Sequence, residues 1–171
     1  MSNLEILQEL EKKHGGAHRV KQKNGTVNRG GDRFTVHDYA PFYDFYMPAD
    51  PKVIVEIGIL TGTGLRIWSD LFSNARIIGL DIFPENVTDP GRAEVHYFDQ
   101  LNPQGIEEIL NGDRIDFCID DGLHTVESQL KTYEYFKPYV DGVYIIEDID
   151  KGYDITKDLP SAVQVGRIAT L

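Results

Sequence analysis

From residue 52 onward the sequence alternates short apolar runs with helical segments, and this alternation is what most constrains the fold. Residues 53–59 form an apolar run broken only by Glu56, which is typical of a strand buried on both faces. The same reasoning predicts further strands at 76–82, 94–98, 115–119 and 143–146, and helices at 64–72, 103–110 and 125–136. Strands joined through helices form right-handed crossovers. The pattern predicts an α/β domain with a parallel sheet and helices on both faces.

The first 33 residues differ in character from the rest. Apolar residues at helical spacing predict an amphipathic helix over 3–13, and the polar, basic, glycine-rich stretch 14–33 predicts a loop. We therefore expect one domain overall, made of an N-terminal helix and polar loop, 1–33, and the α/β part, 34–171. Four aromatic residues at the start of the second part share one helical face and predict a core-facing helix, with a role in lining a ligand pocket as the alternative: Tyr39, Phe42, Tyr43 and Tyr46.

Charge and composition exclude several classes of function. The 171 residues carry 28 acidic against 17 basic side chains, a formal net charge of −11. This balance argues against a nucleic-acid partner, which requires clustered Lys and Arg. No apolar run reaches the roughly 18–20 residues of a membrane span, and the N-terminus lacks the pattern of a secretory signal. The single cysteine, Cys118, is expected to be a buried hydrophobe. We expect a cytoplasmic protein without membrane contact, and a homo-oligomer is left open.

Polar residues collect where the predicted strands end. In an open parallel sheet these ends share one edge, and ligands bind there. Every one of the five strands carries an acid to this edge, more than chance placement would give. The residues concerned are Glu56 and Gly58, Asp81, Asp99, Asp120 and Asp121, and Glu147 and Asp148.

The first strand ends in a glycine-rich turn that narrows the choice of ligand. Glycines allow close backbone approach and expose the amides of the following helix. A phosphate-binding P-loop is excluded because Leu65 and Arg66 follow the last glycine, where Lys and Ser or Thr are required. The glycine spacing also disfavours the dinucleotide fingerprint of NAD enzymes. A nucleoside without phosphate remains, with Asp81 accepting both ribose hydroxyls.

These motifs, within residues 31–149, resemble a known family. Glu56-Ile57-Gly58, Thr61-Gly62-Thr63-Gly64 and Gly79-Leu80-Asp81 resemble motif I and the ribose acid of class I S-adenosylmethionine-dependent methyltransferases. Asp120-Asp121-Gly122-Leu123-His124 and Ile146-Glu147-Asp148 resemble the D-D-G-S-H and E-D motifs of the metal-dependent sugar O-methyltransferases, with Leu123 replacing Ser. Asp99-Gln100 matches their D-Q, and Gly31-Asp32-Arg33 with His37-Asp38-Tyr39 echoes their T-D-K and H-x-Y segment.

The resemblance implies a Rossmann-like fold and a set of site residues. The cofactor, S-adenosylmethionine, is expected to contact Glu56, Gly58, Thr61, Gly62, Asp81, Asp99, Gln100 and Asp120, the last orienting either ligand or loop. The carboxylates of Asp121, Glu147 and Asp148 are hard oxygen ligands that suit Mg²⁺. His124, three residues beyond Asp121, is expected to act as general base.

The implied function is O-methylation of a hydroxyl on a sugar or glycoside, with Mg²⁺ and S-adenosylmethionine. The alternative is a non-catalytic cofactor-binding or partner subunit with a shortened fold. Only about twenty residues follow the fifth strand, too few, we expect, for the β-hairpin that normally closes this sheet. We therefore expect that hairpin to be missing, a short helix around 161–168, and the strand edge to be covered by the tail from residue 151 or by a second subunit.

Overall fold

The computed structural model describes residues 2–15, 20–21, 27–28, 30–87 and 89–171. Its helices are α1 (Asn3–His14), α2 (Ala40–Tyr46), α3 (Thr63–Leu71), α4 (Ile106–Leu110) and α5 (Val126–Phe136). Its strands are β1 (Val20–Lys21), β2 (Val27–Asn28), β3 (Val53–Ile57), β4 (Arg76–Asp81), β5 (Glu94–Tyr97), β6 (Ile115–Asp120), β7 (Val140–Ile146), β8 (Val163–Val165) and β9 (Ile168–Thr170).

Seven strands form one sheet in the order β5-β4-β3-β6-β7-β9-β8. The first five run parallel, which confirms the predicted α/β architecture. The sequence order reverses at β3, which lies between β4 and β6, and in such sheets a ligand crevice opens at that point.

The predicted absence of the terminal hairpin is wrong. Strand β9 pairs antiparallel with β7, and β8 pairs antiparallel with β9, so the hairpin closes the sheet. The expected helix at 161–168 is also wrong, because β8 and the two-residue turn Gly166–Arg167 occupy that segment. Gly166 has a φ of +63°, as tight hairpin turns demand. Each of these two strands has only three residues, too few to show the alternating hydropathy of a strand. The prediction that the tail covers the β7 edge is confirmed.

Helices pack on both faces of the sheet, as predicted. On one face α1, α2 and α3 enclose an aromatic cluster of Phe34, Tyr43, Trp68 and Phe117. On the other, α4 and α5 pack through Ile106, Leu110 and Phe136. Capping side chains fix where two helices begin: Ser2 and Glu5 form a capping box on α1, and Thr125 and Ser128 form one on α5.

The segment predicted as a loop, 14–33, is partly regular. Strands β1 and β2 pair antiparallel within it, while residues 16–19, 22–26 and 29 lie outside the described part of the chain. The end of this segment is also not a solvated loop, because the Arg33 side chain is only 8% exposed. A functional boundary at 33/34 would separate Arg33 from the residues it contacts. Within the described ranges, no helix has the length and hydropathy needed to cross a membrane.

Candidate functional site

A cavity of about 510 Å³ opens at the carboxyl ends of β3, β4 and β6, where the strand order reverses. Seven predicted site residues line it: Gly58, Asp81, Asp99, Gln100, Asp121, His124 and Asp148. The other five lie outside its lining: Glu56, Thr61, Gly62, Asp120 and Glu147. The strand-end acids are therefore brought together as expected, but they divide into a group that faces the cavity and a group that lies behind its wall.

The glycine turn after β3 is clamped between its neighbours. Gly58 has a φ of +80°, and a Cβ there would lie 2.2 Å from the carbonyl oxygen of Asp121. From the other side, Asp81 Oδ2 accepts hydrogen bonds from the backbone N–H groups of Ile59 (2.9 Å) and Leu60 (3.1 Å). The turn is thus tied both to β4 and to the loop that follows β6.

We expect Gly58→Ala to lower the free energy of unfolding far more than its backbone conformation alone requires. Gly105 is a matched control, because its φ is +83° and nothing lies within 4 Å of a Cβ built there. Gly105→Ala should cost about 1–2 kcal/mol, the price of a left-handed alanine. Gly58→Ala should cost about 1–3 kcal/mol more, from the contact with Asp121. Urea unfolding of both variants measures the difference, and equal losses would contradict the close contact.

Two carboxylates face the part of the cavity that has apolar walls. Asp81 also accepts the Phe83 N–H at 2.9 Å, and Asp99 accepts the Leu101 N–H at 2.9 Å and the Asn102 amide at 3.0 Å. These last two hydrogen bonds keep the pKa of Asp99 below its usual value. Since a carboxylate has about four acceptor positions, both acids retain capacity for a ligand. Apolar side chains surround them: Leu80, Ile82, Phe83, Phe98 and Leu101.

Gln100 and Asp120 hold the loop after β6 in place. The Gln100 amide donates to Asp120 Oδ1 (2.8 Å) and to Thr132 Oγ1 (3.0 Å), and its oxygen accepts the Leu123 N–H (2.7 Å). Burial raises the pKa of Asp120, which is 1% exposed, to about 7. The hydrogen-bonding groups of Gln100 are therefore already engaged within the protein.

Asp121, His124 and Asp148 converge at the rim of the cavity. One potential ligand atom from each lies within 4.8 Å of the other two. His124 Nε2 lies 3.1 Å from Asp121 Oδ1, and Nδ1 lies 4.0 Å from Asp148 Oδ2. Burial would lower the pKa of His124, but the hydrogen bond and charge of Asp121 outweigh it and raise that pKa to about 9. Two carboxylates and an imidazole are a donor set that accepts a divalent cation.

Backbone strain is concentrated at the same place. His124 has a φ of +58° and Asp148 a φ of +53°, values that side-chain-bearing residues rarely adopt. Such strain persists only where the surroundings enforce it, and it is frequent at functional sites. The Asp148 carboxylate is held by the Tyr39 hydroxyl at 2.7 Å and by His37 Nδ1 at 2.9 Å. Burial works against ionisation of Asp148, yet these contacts keep its pKa below the usual value.

Glu147 departs from the prediction that it joins Asp121 and Asp148. Its carboxylate is buried, accepts a hydrogen bond from the Tyr43 hydroxyl, and lies 2.8 and 2.9 Å from Arg33 Nε through its two oxygens. Burial raises its pKa above the ordinary value. Among the described residues, the group that could hold a metal contains His124 in its place. Both residues follow β7, which ends at Ile146, and the left-handed φ of +53° at Asp148 sends the two side chains in different directions.

Arg33 is the main site residue that the sequence prediction did not include. Its guanidinium donates to Glu56 (2.7 Å) and Asp121 (3.1 Å) in addition to Glu147, and lies over the ring of Trp68. Burial would lower the pKa of Arg33, but the surrounding carboxylates raise it well above its usual value. The sequence feature that could have identified Arg33 as a site residue is its place in Gly31-Asp32-Arg33, the segment that resembles the family's T-D-K motif.

The remaining predicted cofactor residues lie behind the glycine turn. Glu56 is 2% exposed and accepts hydrogen bonds from Arg33 and from the Trp68 indole at 2.7 Å. Thr61 is fully buried, with its hydroxyl 3.3 Å from that of Thr63, and Gly62 begins α3 with a φ of +80°. These residues shape the glycine turn, and the turn residues that line the cavity are Gly58 and Leu60.

Comparison with known proteins supports this architecture. Over 130 residues the chain is 27% identical to an 8-demethyl-8-(2-methoxy-alpha-L-rhamnosyl)-tetracenomycin-C 3'-O-methyltransferase from Streptomyces olivaceus, which covers 68% of this chain and 33% of that protein. The MycE methyltransferase of mycinamycin biosynthesis, solved with Mg and SAH, aligns at a TM-score of 0.64 and 25% identity over 84% of this chain and 37% of MycE. A MycE complex that also holds mycinamycin VI aligns at a TM-score of 0.72 and 19% identity, covering 96% and 52%.

The chain spans about a third to a half of the length of these relatives. No protein-family model matches it. The fold also occurs in a putative ribosomal RNA methyltransferase from Plasmodium falciparum, at a TM-score of 0.62 and 17% identity, covering 84% of this chain and 95% of that one. The chain therefore has the fold of class I S-adenosylmethionine-dependent methyltransferases and is similar in sequence to the metal-dependent sugar O-methyltransferases within that class.

Proposed function

We propose that the chain catalyses methyl transfer from S-adenosylmethionine to a hydroxyl of a sugar or glycoside, with Mg²⁺ at Asp121 and Asp148. The observation that carries this is the convergence of Asp121, His124 and Asp148 at the rim of a cavity that also contains Asp81 and Asp99. The relatives support the assignment, since MycE was solved with Mg and SAH, and the tetracenomycin relative is named for 3'-O-methylation of a rhamnosyl compound.

The cavity suits a nucleoside cofactor. Asp81, at the end of β4, lines the cavity, and the acceptor position that its three backbone N–H contacts leave open would take a ribose hydroxyl. Asp99, two residues after β5, lines the same cavity and would flank the base. Phe83, Leu101 and Phe98 supply apolar walls for a planar ring. A volume of about 510 Å³ lies within the range of about 300–1,000 Å³ usual for small-molecule sites.

The residues at the rim suit activation of an alcohol. Mg²⁺ would lower the pKa of a bound hydroxyl, which is otherwise protonated at neutral pH. His124 faces the same space and would accept the proton in its neutral form. Mg²⁺ at Asp121 and Asp148 would offset the carboxylate charges that otherwise raise the pKa of His124, and the hydrogen bond to Asp121 orients the imidazole. Asp148, fixed by Tyr39 and His37, presents its second oxygen to the site. Transfer then depends on holding the hydroxyl in line with the donor methyl group.

The experiment that tests this proposal is transfer of labelled methyl groups from S-adenosylmethionine to a panel of rhamnosides and other diol-bearing glycosides, with Mg²⁺ or with EDTA. We expect turnover of at least one glycoside that EDTA abolishes and Mg²⁺ restores. Equal turnover with and without EDTA would show that the reaction does not need Mg²⁺. Binding of S-adenosylhomocysteine without turnover of any acceptor would favour the alternative of a non-catalytic cofactor-binding subunit.

Asp81→Asn provides the cofactor control in that experiment. The Asn amide oxygen can still accept the Ile59 and Leu60 N–H groups that Asp81 Oδ2 binds, so the glycine turn should persist, whereas the Phe83 N–H that Oδ1 accepts loses its partner. A charge-assisted hydrogen bond contributes about 1.5–3 kcal/mol, so loss of the charge should weaken S-adenosylhomocysteine binding at least about tenfold. Calorimetric titration measures this, and unchanged affinity would place the ribose elsewhere.

A further inference from the structure

A second cavity, of about 900 Å³, lies between α2 and the β8–β9 hairpin. Its walls carry Tyr39, Phe42, Phe45 and Tyr46 on the α2 side, and Val165 and Ile168 on the hairpin side. We call it the α2–hairpin groove. It is larger than the cavity at β3 and β4, and aromatic side chains form much of its α2 side.

The groove leaves large apolar side chains in contact with water. Phe45 is 78% exposed and Val165 is 59% exposed, and Val36, which also lines the groove, is 73% exposed. Single exposed apolar residues are common, but a concave group of them typically marks a binding site. Tyr43, on the same helix, is buried in the core, so α2 supplies both a packed face and an open aromatic one.

The groove meets the candidate active site at Asp148. That carboxylate lines the first cavity, and Tyr39, His37 and Arg167 line the groove. All three contact Asp148, the first two through the hydrogen bonds described above and Arg167 through Nη1 at 3.5 Å. Three polar side chains of the groove are therefore held at its junction with the active site, while Phe45 and Tyr46 lie at the far end of α2 from Tyr39.

We propose that the α2–hairpin groove binds the apolar aglycone of the glycoside acceptor, whose sugar hydroxyl lies at Asp121, His124 and Asp148. This inference rests on the proposed function and adds to it a site that selects the acceptor. The arrangement matches a ligand with one polar and one apolar end, because His37 and Arg167 mark the polar end. The volume exceeds the need of a single sugar and lies within the range of ligand sites.

The test compares two acceptors that share a sugar and differ in the aglycone, methyl α-L-rhamnoside and 2-naphthyl α-L-rhamnoside. Val165→Asp places a charge in the groove, and Phe45→Ala removes an aromatic wall. Each substitution should raise the KM for 2-naphthyl rhamnoside, relative to the KM for methyl rhamnoside, at least about tenfold, because burial of the naphthyl ring is lost. Val163→Asp is the matched control, because Val163 is 47% exposed on the same strand but does not line the groove.

Fluorescence titration of the naphthyl compound with S-adenosylhomocysteine present gives a second readout that needs no turnover. We expect Val165→Asp to weaken binding at least about tenfold and Val163→Asp to leave it unchanged. If the rhamnosides are turned over and Val165→Asp changes neither the KM ratio nor the binding, the groove does not bind the aglycone, and the proposed function still stands. Loss of binding in Val165→Asp without turnover of either rhamnoside would support the groove and count against the proposed activity.

Sedimentation of the same variants separates a small ligand from a second copy of the chain. We expect the wild type and Val165→Asp to have the same mass in solution. A wild-type dimer that Val165→Asp dissociates, and that naphthyl rhamnoside does not, would assign the groove to subunit contact and overturn the proposal.

Discussion

Replacement of Arg33 by methionine is expected to lower the free energy of unfolding by about 3–5 kcal/mol, the usual cost of leaving a buried charge without its partner. Arg33 contacts three carboxylates, and two of them, Glu56 and Glu147, are each only 2% exposed. Methionine retains most of the side-chain length but none of the charge or hydrogen bonds. Since domains are stable by about 5–15 kcal/mol, a loss of this size is a large fraction of the total. Urea unfolding followed by circular dichroism measures it.

Two controls separate this charge effect from a general loss of arginine. Arg114, which pairs with Asp141 in solvent, should tolerate methionine with little loss of stability. Adding Glu56→Gln and Glu147→Gln to Arg33→Met should recover part of the stability, because two of the uncompensated charges are removed. A loss for Arg33→Met no larger than that for Arg114→Met would show that the buried carboxylates do not depend on Arg33.

Replacement of His124 by asparagine is expected to reduce kcat for methyl transfer about 10²–10⁴-fold, the usual contribution of a positioned general base. Asparagine is the preferred substitute because it tolerates the left-handed backbone that His124 adopts, at a φ of +58°, and cannot accept the proton at neutral pH. The affinity for S-adenosylhomocysteine should stay within about twofold, because the proposed ribose contact, Asp81, ends β4, whereas His124 lies in the loop between β6 and α5. Initial rates and calorimetry measure the two effects.

The same variant also distinguishes a base from a metal ligand. If His124 acts as the base, the Mg²⁺ concentration that gives half-maximal rate should be unchanged in His124→Asn, and if it is a ligand that concentration should rise. His96, on β5, is a suitable control for the loss of a histidine away from the rim. If His124→Asn and His96→Asn have the same rate, His124 takes no part in the reaction.

The sequence alone was enough to predict the layered fold up to β7. Continuous apolar runs such as 53–57 must be buried on both faces, and the helical segments between them permit only crossover connections. The carboxyl ends of parallel strands share one edge, so the positions of Asp81, Asp99 and Asp121 near one cavity followed from the period of the pattern. The hairpin was missed because strands of three residues are too short to show the alternation of apolar and polar residues that marks a strand, although Gly166-Arg167 is a turn signal.

What the sequence by itself determined about this protein is therefore the sheet, its ligand edge and the family it resembles. Only the tertiary structure decided which strand-end acids face the cavity and which face inward. Glu147 and Asp148 are neighbours in sequence, yet one turns inward to a buried arginine while the other reaches the rim. The choice depends on Arg33, more than a hundred residues away in the chain. Packing between distant segments sets the orientation of such side chains, because the local pattern specifies that a charge lies at the strand end but not the partner that neutralises it.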